Sequence, residues 1–381
     1  RSLVGSEMCI RDRFDLSGCN QPYNAITVYG LRILAGFKEN GYKDISILCD
    51  ARIYDHVHVT FPEYPCLEIA FDTGRNPMTL LRNFRHWKNT VKNIEHDVLF
   101  VPHVFPPNFC FHRRDKTVLV LHDLQGLRIY KGLRLWACRF FYPLALWRCK
   151  ASIVISDFVR EDVRKTYPFI SPRKLNTIYN GVVVDQLPQK RDTLPVKGKY
   201  LLYVSSLMEH KNVMTLLRAF NRLKDKIPHT LVIIGKTRPV WTEKALPFIQ
   251  EENLSSRIYH VTKPVSDETL AQYYNQADLF IHPSLMEGFG YTPIEAAIYG
   301  TPVLTNKETA LFETTMGLLN YYEPATDDKA MANEIERLLT NPISLDRLSE
   351  IASTFRERYD NTKQGKKIYD LLISLSMDSK G

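Results

Sequence analysis

The feature that most constrains the fold is an alternation of short apolar runs with longer stretches of helical spacing. Four runs in the first half are rich in Val, Ile and Leu and have the length of buried strands: ISILCD, VLFVP, TVLVLHD and ASIVIS. The stretch AITVYGLRILAGFKENGY has helical spacing and ends at Gly41, a suitable C-cap. Strands that alternate with helices predict a parallel sheet covered on both faces.

The same alternation repeats in the second half of the chain. Five further runs have strand character: KYLLYVSS, HTLVIIG, RIYHVT, ADLFIHPS and TPVLT. They follow a polar segment, 185–199, that has two prolines and no periodic face. A chain of 381 residues is also too long for one ordinary core. We therefore predict an α/β protein with two Rossmann-like domains, 14–190 and 191–381, and leave open that the terminal helix packs back on the first domain.

The first thirteen residues do not fit this pattern. RSLVGSEMCIRDR has no periodicity and resembles a translated sequencing-adapter artefact that recurs in assembled sequence data. We therefore treat residues 1–13 as non-native, exclude them from the predicted fold, and expect the authentic first strand to be missing.

Composition narrows the class of protein without choosing a ligand. The 50 Lys and Arg residues exceed the 42 Asp and Glu residues, for a net charge of +8, which suits nucleic acid, anionic membranes or phosphate-bearing substrates. Seven cysteines lack CxxC or zinc-like spacing, which predicts reduced cysteines in a cytoplasmic setting. No Asp-x-Asp pair is present to hold a diphosphate through a divalent cation, so we expect no metal. No apolar run approaches the roughly 18 residues that span a bilayer.

Ligands of open α/β sheets bind beyond the carboxyl ends of the strands, which directs attention to SLMEGFGYTPIEAAIYGTPVLT. Within it, Thr292 at N-cap, Pro293 at N1 and Glu295 at N3 predict a capping box. Glu295 could then be only a helix cap. One carboxylate oxygen could also cap while the other binds a ligand, so both interpretations stay open.

Capping does not account for Glu287-Gly288-Phe289-Gly290. Two glycines allow the backbone to approach a ligand closely, and the loop leads into a helix N-terminus, where anions are favoured. A carboxylate at the start of this loop can accept hydrogen bonds from sugar hydroxyls. An ordinary glycine turn is the alternative interpretation.

This region resembles the E-x7-E segment of retaining glycosyltransferases with the GT-B fold, in particular glycosyltransferase family 4 (glycosyl transferases group 1). The resemblance extends to YLLYVSSLMEHKNVMTLLRAF, VSDETLAQYYNQADLFIHPS, TIYNGV and VLVLHDL, and covers nearly everything from about residue 20 onward. It implies two Rossmann-like domains facing each other across a cleft.

The resemblance also implies roles for particular residues. Glu287 and His122 would be catalytic, with Glu287 holding the donor-sugar hydroxyls and His122 near the sugar. The backbone N–H groups of Gly288, Phe289 and Gly290 would help Glu287. Glu295 would bind the nucleotide ribose, and Lys211 would neutralise the diphosphate.

One departure from the family pattern concerns the diphosphate. The family often has Gly-Arg where this chain has Ser205-Ser206, so a second phosphate-binding cation is in question. His210 is a candidate to substitute for it in part, and a surface histidine is the alternative interpretation.

The implied activity is retaining transfer of a hexose, of mannose, glucose or galactose type, from a nucleotide sugar to an acceptor hydroxyl. The acceptor would be a glycan or lipid-linked molecule in polysaccharide or glycolipid assembly. Three alternatives stay open: a GT-B nucleotide-sugar epimerase, a catalytically silent nucleotide- or glycan-binding protein, and, from charge alone, a nucleic-acid-binding protein. We expect no cofactor and no nucleic acid partner.

A basic and aromatic segment follows Asp123. No acidic residue occurs between Asp123 and Asp157, whereas basic residues interleave there with aromatic ones: Arg128, Lys131, Arg134, Arg139, Arg148 and Lys150, with aromatics that include Trp136, Phe140, Phe141, Tyr142 and Trp147. One interpretation is a patch that rests on the inner face of an anionic membrane. The other, which we favour because the aromatics do not keep to one stripe, is a pair of core helices broken at Pro143.

Overall fold

A computed structural model describes residues 12–22, 24–74, 76–104, 117–183, 194–196 and 198–377. The chain divides into two compact units. The first comprises Arg1–Gly181 together with Asn361–Gly381, and the second is Val182–Asp360. Most of the polar segment 185–199, which we predicted as a linker, lies outside the described residues.

The first unit is built on a parallel sheet. The described residues contribute seven strands: β1 (Asp12–Leu16), β2 (Ile45–Asp50), β3 (Cys66–Ile69), β4 (Leu99–Val101), β5 (Thr117–Leu121), β6 (Ala151–Val154) and β7 (Leu175–Thr177). Their order across the sheet is β3-β2-β1-β4-β5-β6-β7. The chain reverses its direction of travel between β1 and β4, which is where open α/β sheets bind ligands.

The helices between these strands account for the buried faces of the sheet. They are α1 (Ala25–Glu39), α2 (Tyr54–Thr60), α3 (Pro77–Lys92), α4 (Gly126–Ile129), α5 (Gly132–Arg148) and α6 (Asp157–Thr166). Phe14 of β1 packs against Phe37 of α1 and Phe100 of β4, with ring centroids 6.1 and 4.8 Å apart. This aromatic cluster joins the centre of the sheet to α1.

The structure corrects two sequence predictions in this unit. Asp12 and Arg13, which we had excluded, are part of β1 and pair with Ile45 and Ser46 of β2. The sequence missed this strand because the charges in DRFDL interrupt the apolar run that marks a buried strand. The predicted break at Pro143 is also wrong: α5 continues through Pro143, which removes only one hydrogen bond of the helix ladder.

The second unit has a parallel sheet of six strands among its described residues. They are β8 (Tyr200–Val204), β9 (Thr230–Ile234), β10 (Ile258–Val261), β11 (Leu279–His282), β12 (Val303–Thr305) and β13 (Asn320–Tyr321), in the order β10-β9-β8-β11-β12-β13. The direction of travel reverses between β8 and β11. Loops after these two strands therefore emerge side by side at one edge of the sheet.

Seven helices pack around this second sheet within the described residues. They are α7 (Val213–Leu223), α8 (Leu246–Glu251), α9 (Asp267–Gln276), α10 (Tyr291–Ile298), α11 (Leu311–Thr314), α12 (Asp328–Thr340) and α13 (Leu345–Arg358). Leu216, Leu217 and Phe220 of α7 are fully buried against the sheet. This core fixes the position of the loop that precedes α7.

The last helix, α14 (Asn361–Met377), belongs to the first unit, although it follows the whole of the second unit in sequence. It crosses α1 closely at a pair of glycines. A Cβ built on Gly365 would lie 2.8 Å from the backbone carbon of Gly36, and one on Gly36 would lie 2.6 Å from the carbonyl oxygen of Asn361. Asn361 also donates from Nδ2 to the carbonyl of Arg32 at 2.8 Å. Small residues on both helices therefore permit this contact.

None of the helices in the described ranges is long and apolar enough to cross a membrane.

Candidate functional site

The loop between β11 and α10 carries the EGFG stretch that the sequence singled out. Its backbone turns at Gly290, which has φ +88° and is the N-cap of α10. A Cβ at Gly290 would lie 2.7 Å from Cδ2 of Leu311, so both the backbone conformation and the space favour glycine. This turn places the N-terminus of α10 directly after the loop.

The predicted capping box is wrong. Because the left-handed turn at Gly290 starts the helix at Tyr291, Thr292 and Glu295 already lie inside α10, and Gly290 offers no side chain to cap it. Oγ1 of Thr292 instead lies 3.1 Å from Nδ1 of His282. Capping is therefore removed as an explanation for Glu295.

Glu287 lies at the centre of a charged network. Its Oε1 is 2.6 Å from Nζ of Lys211 and 3.0 Å from Nε2 of His282. The side chains of Glu287 and Lys211 keep only 12% and 17% of their exposure. Since a carboxylate only accepts hydrogen bonds, Nε2 of His282 donates to Glu287, while Nδ1 of the same ring lies beside Oγ1 of Thr292. The network thus fixes the orientation of Glu287 and of the His282 ring.

The surroundings of Glu287 keep its carboxyl ionised. Burial acts to raise the pKa of Glu287, but the charge of Lys211 and the hydrogen bond from His282 together outweigh burial. The pKa of Glu287 consequently lies well below its ordinary value. At neutral pH the carboxylate can accept hydrogen bonds and cannot act as a general acid.

Lys211 is positioned by the loop that follows β8. It ends a 3₁₀ turn, Glu209–Lys211, and the next residue, Asn212, has a left-handed backbone with φ +57°. Nδ2 of Asn212 donates to the carbonyl oxygens of Pro283 and Ala325, and Oδ1 accepts from Thr215. Asparagine tolerates this conformation because its short side chain bonds locally. Asn212 therefore ties the Lys211 loop to the end of β11.

Additional hydrogen bonds join the loops after β8, β11 and β12. The N–H of Leu285 donates to the carbonyl of His210 at 2.8 Å, and the N–H of Glu287 donates to Oγ1 of Thr309 at 2.9 Å. Nδ2 of Asn306 donates to the carbonyl of Ser284 at 3.0 Å. The site is therefore held by its own unit before any ligand binds.

The glycine loop combines a buried anchor with backbone donors. The ring of Phe289 is buried and meets those of Tyr291 and Tyr359 edge-on, and its carbonyl accepts from Oγ1 of Thr314 at 2.6 Å. Within the described parts of the chain, the N–H groups of Phe289 and Gly290 have no hydrogen-bond acceptor. Orphan N–H groups at a helix N-terminus are suited to an anion or a sugar oxygen.

Glu295 lies about one turn into α10 and is partly exposed. Its Oε2 lies 3.4 Å from the hydroxyl of Tyr274 in α9, a long contact for a hydrogen bond. Glu295 therefore lies on the helix that follows the glycine loop.

The residues that follow β8 supply one cation in this loop. The structure has Ser205 and Ser206 where the family often has Gly-Arg. Burial, together with the charge of Lys211, lowers the pKa of His210 to about 4, so that its ring is neutral at neutral pH. His210 therefore does not replace the second cation.

His122 lies in the other unit, immediately after β5. Its Nε2 is 2.8 Å from the carbonyl of Pro102, and its ring meets that of Tyr29 edge-on at 4.5 Å. Burial lowers the pKa of His122, and the hydrogen bond to Pro102 opposes this only in part. The ring is therefore neutral and fixed at the carboxyl edge of the first sheet, beside its point of reversal.

Sequence reasoning placed Lys211, Glu287, Glu295 and His122 at strand ends or in the loops that follow, and the structure brings the first two into contact. It missed His282 and Thr309, which orient the charged groups, and it missed the positioning role of Asn212. Only the histidine had a visible signal, a polar residue closing the apolar run of ADLFIHPS.

Two family comparisons decide the classification. Residues 186–355 match the sequence model of "Glycosyl transferases group 1", and residues 42–186 match that of "Glycosyltransferase Family 4". The chain belongs to glycosyltransferase family 4. The two matches meet at residue 186 and together span 42–355.

Sequence relatives of this family 4 protein include bacterial polysaccharide enzymes. It is 26% identical over 226 residues to the O-antigen chain mannosyltransferase RfbU of Salmonella typhimurium, covering 59% of this chain and 61% of the relative. It is 25% identical over 272 residues to the capsular polysaccharide biosynthesis glycosyltransferase CapM of Staphylococcus aureus, covering 67% and 69%. The alignment with RfbU thus spans about three fifths of that protein.

Solved structures match over nearly the whole chain. Sucrose-phosphate synthase from Thermosynechococcus elongatus has a TM-score of 0.76 at 20% identity, covering 96% of this chain and 99% of that one. Alr3699/HepE from Anabaena, in complex with UDP and glucose, has a TM-score of 0.73 at 17% identity, covering 96% and 100%. Two Rossmann-like domains of the GT-B class were expected, and this fold class is confirmed.

Proposed function

We propose that this family 4 protein is a retaining glycosyltransferase that moves a hexose, of mannose type, from a nucleotide sugar to an acceptor hydroxyl. The acceptor is a glycan or lipid-linked molecule in polysaccharide assembly. The observation that carries this proposal is the joining of Lys211, Glu287 and His282 beside the open N–H groups of Phe289 and Gly290. These groups lie where the order of the second sheet reverses.

The charges suit departure of a nucleoside diphosphate. Cleavage of a sugar–phosphate bond leaves negative charge on the diphosphate, which a fixed cation and helix N–H groups stabilise. In our proposal Lys211 meets the diphosphate, and the N-terminus of α10 supplies backbone donors. Lys211 is already held by Glu287 at 2.6 Å, so it need not be ordered when the donor binds.

The carboxylate of Glu287 suits recognition of the sugar. Its lowered pKa leaves it an acceptor only, which matches hydroxyl donors on the hexose. Glu295 would bind the ribose hydroxyls through its carboxylate. His122, neutral at neutral pH, would contact the sugar as a hydrogen-bonding group.

Retention of configuration is supported by the resemblance to family 4. The transition state would be oxocarbenium-like, as in other glycosyl chemistry. In the family the leaving phosphate is thought to help deprotonate the acceptor on the same face of the sugar. Such assistance would make a separate general base unnecessary. Glu287, which Lys211 and His282 orient, would then not need to act as one.

The relatives support the class of substrate. RfbU is an O-antigen chain mannosyltransferase and CapM acts in capsular polysaccharide biosynthesis, which favours a hexose and a polysaccharide product. HepE has been solved with UDP and glucose, which favours a nucleotide-sugar donor. A cytoplasmic location and the lack of a metal requirement remain predictions.

A donor panel tests the proposal. UDP- and GDP-linked glucose, galactose and mannose are compared by thermal shift, since a bound donor stabilises the folded chain. We expect a mannose donor to raise Tm and to be consumed with an oligosaccharide or polyprenyl-linked acceptor, giving a product whose anomeric configuration matches the donor. Inversion of configuration would contradict the retaining mechanism.

The matched variants are Glu287→Ala and Glu336→Ala, the latter an exposed glutamate paired with Lys226. We expect Glu287→Ala to lower kcat/KM at least 100-fold and Glu336→Ala to leave it unchanged. Near-normal turnover by Glu287→Ala would contradict the role that we propose for Glu287. Isomerisation of the donor without acceptor would favour an epimerase, and donor binding without turnover on any acceptor would favour a silent binding protein.

A further inference from the structure

The outward face of α5 is apolar and aromatic. Leu133 is 88% exposed, Trp136 64%, Phe140 63% and Trp147 46%. At 3.6 residues per turn these four side chains fall within about 60° of one another around the helix. They form one stripe, which we call the α5 stripe, along the length of the helix.

The rest of α5 accounts for its attachment to the sheet. The fully buried residues of the helix are Ala145 and Leu146 near its C-terminus. Leu135, Cys138 and Tyr142 are partly buried, and with these two they lie on the side opposite the α5 stripe. Of the aromatics that spoil a single stripe in the sequence, Tyr142 lies on this opposite side and Phe141 on the flank, and both are partly buried. The stripe is not needed to hold the helix in place.

Basic residues border the α5 stripe. Arg139 is exposed and lies about 60° from Trp136 around the helix, and Arg134 is exposed about 100° beyond Leu133 on the other side. The guanidinium of Arg139 sits 5.7 Å from the centre of the Trp136 ring, a cation–π arrangement. Lys131, just before the helix, is exposed as well. No acidic residue occurs anywhere in 124–156, so nothing within this segment of sequence neutralises these charges.

We propose that the α5 stripe and its basic border dock this protein on the surface of an anionic phospholipid bilayer. Helices that lie in a membrane interface bury Trp, Phe and Leu in the boundary between headgroups and acyl chains. Arg and Lys beside the apolar face extend their charged ends to lipid phosphates. The exposed stripe supplies the apolar side chains that enter this boundary, and the basic border supplies the cations that reach the lipid phosphates.

Charge decides between a bilayer and a protein partner. The centres of protein–protein interfaces are depleted of charged residues, whereas an anionic membrane attracts each cation near its surface. The α5 stripe lies between cations and has no carboxylate within its own segment. A bilayer therefore complements both its apolar centre and its border. This inference does not depend on the transfer activity.

The test measures binding of the full chain to vesicles of phosphatidylcholine alone and of phosphatidylcholine with 30% phosphatidylglycerol, by flotation. We expect binding to the anionic vesicles, weakened at least tenfold by raising the salt from 0.1 to 0.5 M. Trp136→Ser with Phe140→Ser should lower the partition coefficient at least tenfold. Arg134→Gln with Arg139→Gln should lower it at least tenfold, about fivefold for each cation.

Two matched controls separate the α5 stripe from general surface properties. Phe169→Ser removes an aromatic side chain that is 64% exposed outside α5. Lys88→Gln with Lys367→Gln removes two exposed cations from α3 and α14. We expect both controls to bind anionic vesicles within twofold of the wild type. Because every substituted side chain is exposed, Tm should stay within about 2 °C, and a correct donor should still shift it.

Three results would overturn the proposal. One is the absence of binding to anionic vesicles at low salt. Another is equal loss of binding in the Phe169→Ser control and in the stripe variants. The third is a wild-type dimer, seen by light scattering, that the Trp136→Ser and Phe140→Ser pair converts to monomer, because a second copy would then cover the stripe.

Discussion

At the scale of single residues, the second unit is organised around a carboxylate that is stabilised by its neighbours. Glu287 is held at 2.6 Å by Lys211 and at 3.0 Å by His282, and its own backbone N–H is engaged by Thr309. A buried charge with two such partners is stable only while both remain. Loss of one partner therefore tests the electrostatics of the site directly.

Lys211→Met should destabilise the fold by about 2 to 3 kcal/mol at pH 7, because it leaves a nearly buried carboxylate short of its cation. In the wild type the pKa of Glu287 is depressed, so its contribution to stability is fully present above the ordinary carboxyl pKa and is lost progressively as pH falls from there towards the lowered pKa. Without Lys211, burial would raise that pKa instead. Protonation would then restore stability, and the difference between variant and wild type should shrink towards pH 4. Urea denaturation at pH 7 and pH 4 measures it.

The control for this prediction is the double variant Lys211→Met with Glu287→Gln. It removes the charge that Lys211 compensates, and we expect it to be more stable at pH 7 than Lys211→Met alone. A double variant less stable than either single variant would show that the pair matters through packing and not through charge.

Glu295→Gln should weaken nucleotide binding about tenfold, because it replaces the carboxylate that we propose as the acceptor for the ribose hydroxyls with an amide. Stability should change by less than about 0.5 kcal/mol, since Gln has nearly the same shape and keeps an acceptor for Tyr274. Calorimetric titration with UDP and GDP measures the first effect. Unchanged nucleotide affinity would leave Glu295 with a structural role only.

At the scale of elements, α10 is defined by the backbone at its start. Gly290 takes a left-handed conformation and leaves no room for a side chain, whereas Gly300 at the other end has φ +81° and open space around its Cβ position. Comparing substitutions at the two glycines therefore separates the cost of backbone strain from the cost of crowding.

Gly300→Ala should cost about 1 kcal/mol from backbone strain alone. Gly290→Ala should cost about 2 to 4 kcal/mol, because the new Cβ also meets Leu311. Thermal unfolding of the two variants gives the difference. Equal costs would mean that Leu311 moves aside freely.

The strand β1 carries a second element-scale prediction. Arg13 is 5% exposed at the centre of the first sheet, and within the described residues its Nε and Nη1 make no hydrogen bond. Burial lowers its pKa to about 10, against the opposing influence of Asp15. Arg13→Leu should therefore stabilise the chain by about 1 kcal/mol. Exposed Arg85→Leu should change stability by less than about 0.5 kcal/mol, and a destabilised Arg13→Leu would show that the guanidinium is paired.

These elements show what the sequence could and could not predict. The strands and the loops carrying Lys211 and Glu287 were predictable, because apolar runs mark parallel strands and ligands bind at their carboxyl ends. The strand β1 was not predictable, because its charged residues interrupt the apolar run that marks a buried strand. The start of α10 was misplaced because the Thr, Pro and Glu residues match the sequence pattern of a capping box. In the structure, the positive φ of Gly290 determines where the helix begins. His282 and Thr309 act through contacts across neighbouring loops that spacing does not encode.

At the scale of the whole molecule, the chain leaves the first unit at Gly181 and returns to it at Asn361. The last two helices of the described chain are consecutive in sequence, but α13 belongs to the second unit and α14 to the first. The close approach of Gly36 and Gly365 allows α14 to pack against α1 in the first unit. The sequence left open that the terminal helix packs back on the first domain, and the structure places it there, but spacing gave no sign of the glycine pair.

Gly365→Val should destabilise the first unit by about 2 to 3 kcal/mol, because its side chain would overlap the backbone of α1. Hydrogen exchange followed by mass spectrometry should show loss of protection in α1 and β1, with the second unit's α7 and α12 unchanged. Uniform loss of protection in both units would mean that they unfold as one.

The return of α14 to α1 has a consequence for synthesis of the protein. The ribosome completes all 179 residues of Val182–Asp360 before it makes the helix that covers α1. At about 5 to 20 residues per second this interval is roughly 10 to 40 seconds. Throughout that time the emerging N-terminal unit carries an uncovered apolar helix face, so a nascent chain of this protein offers chaperones a binding surface that the finished chain hides.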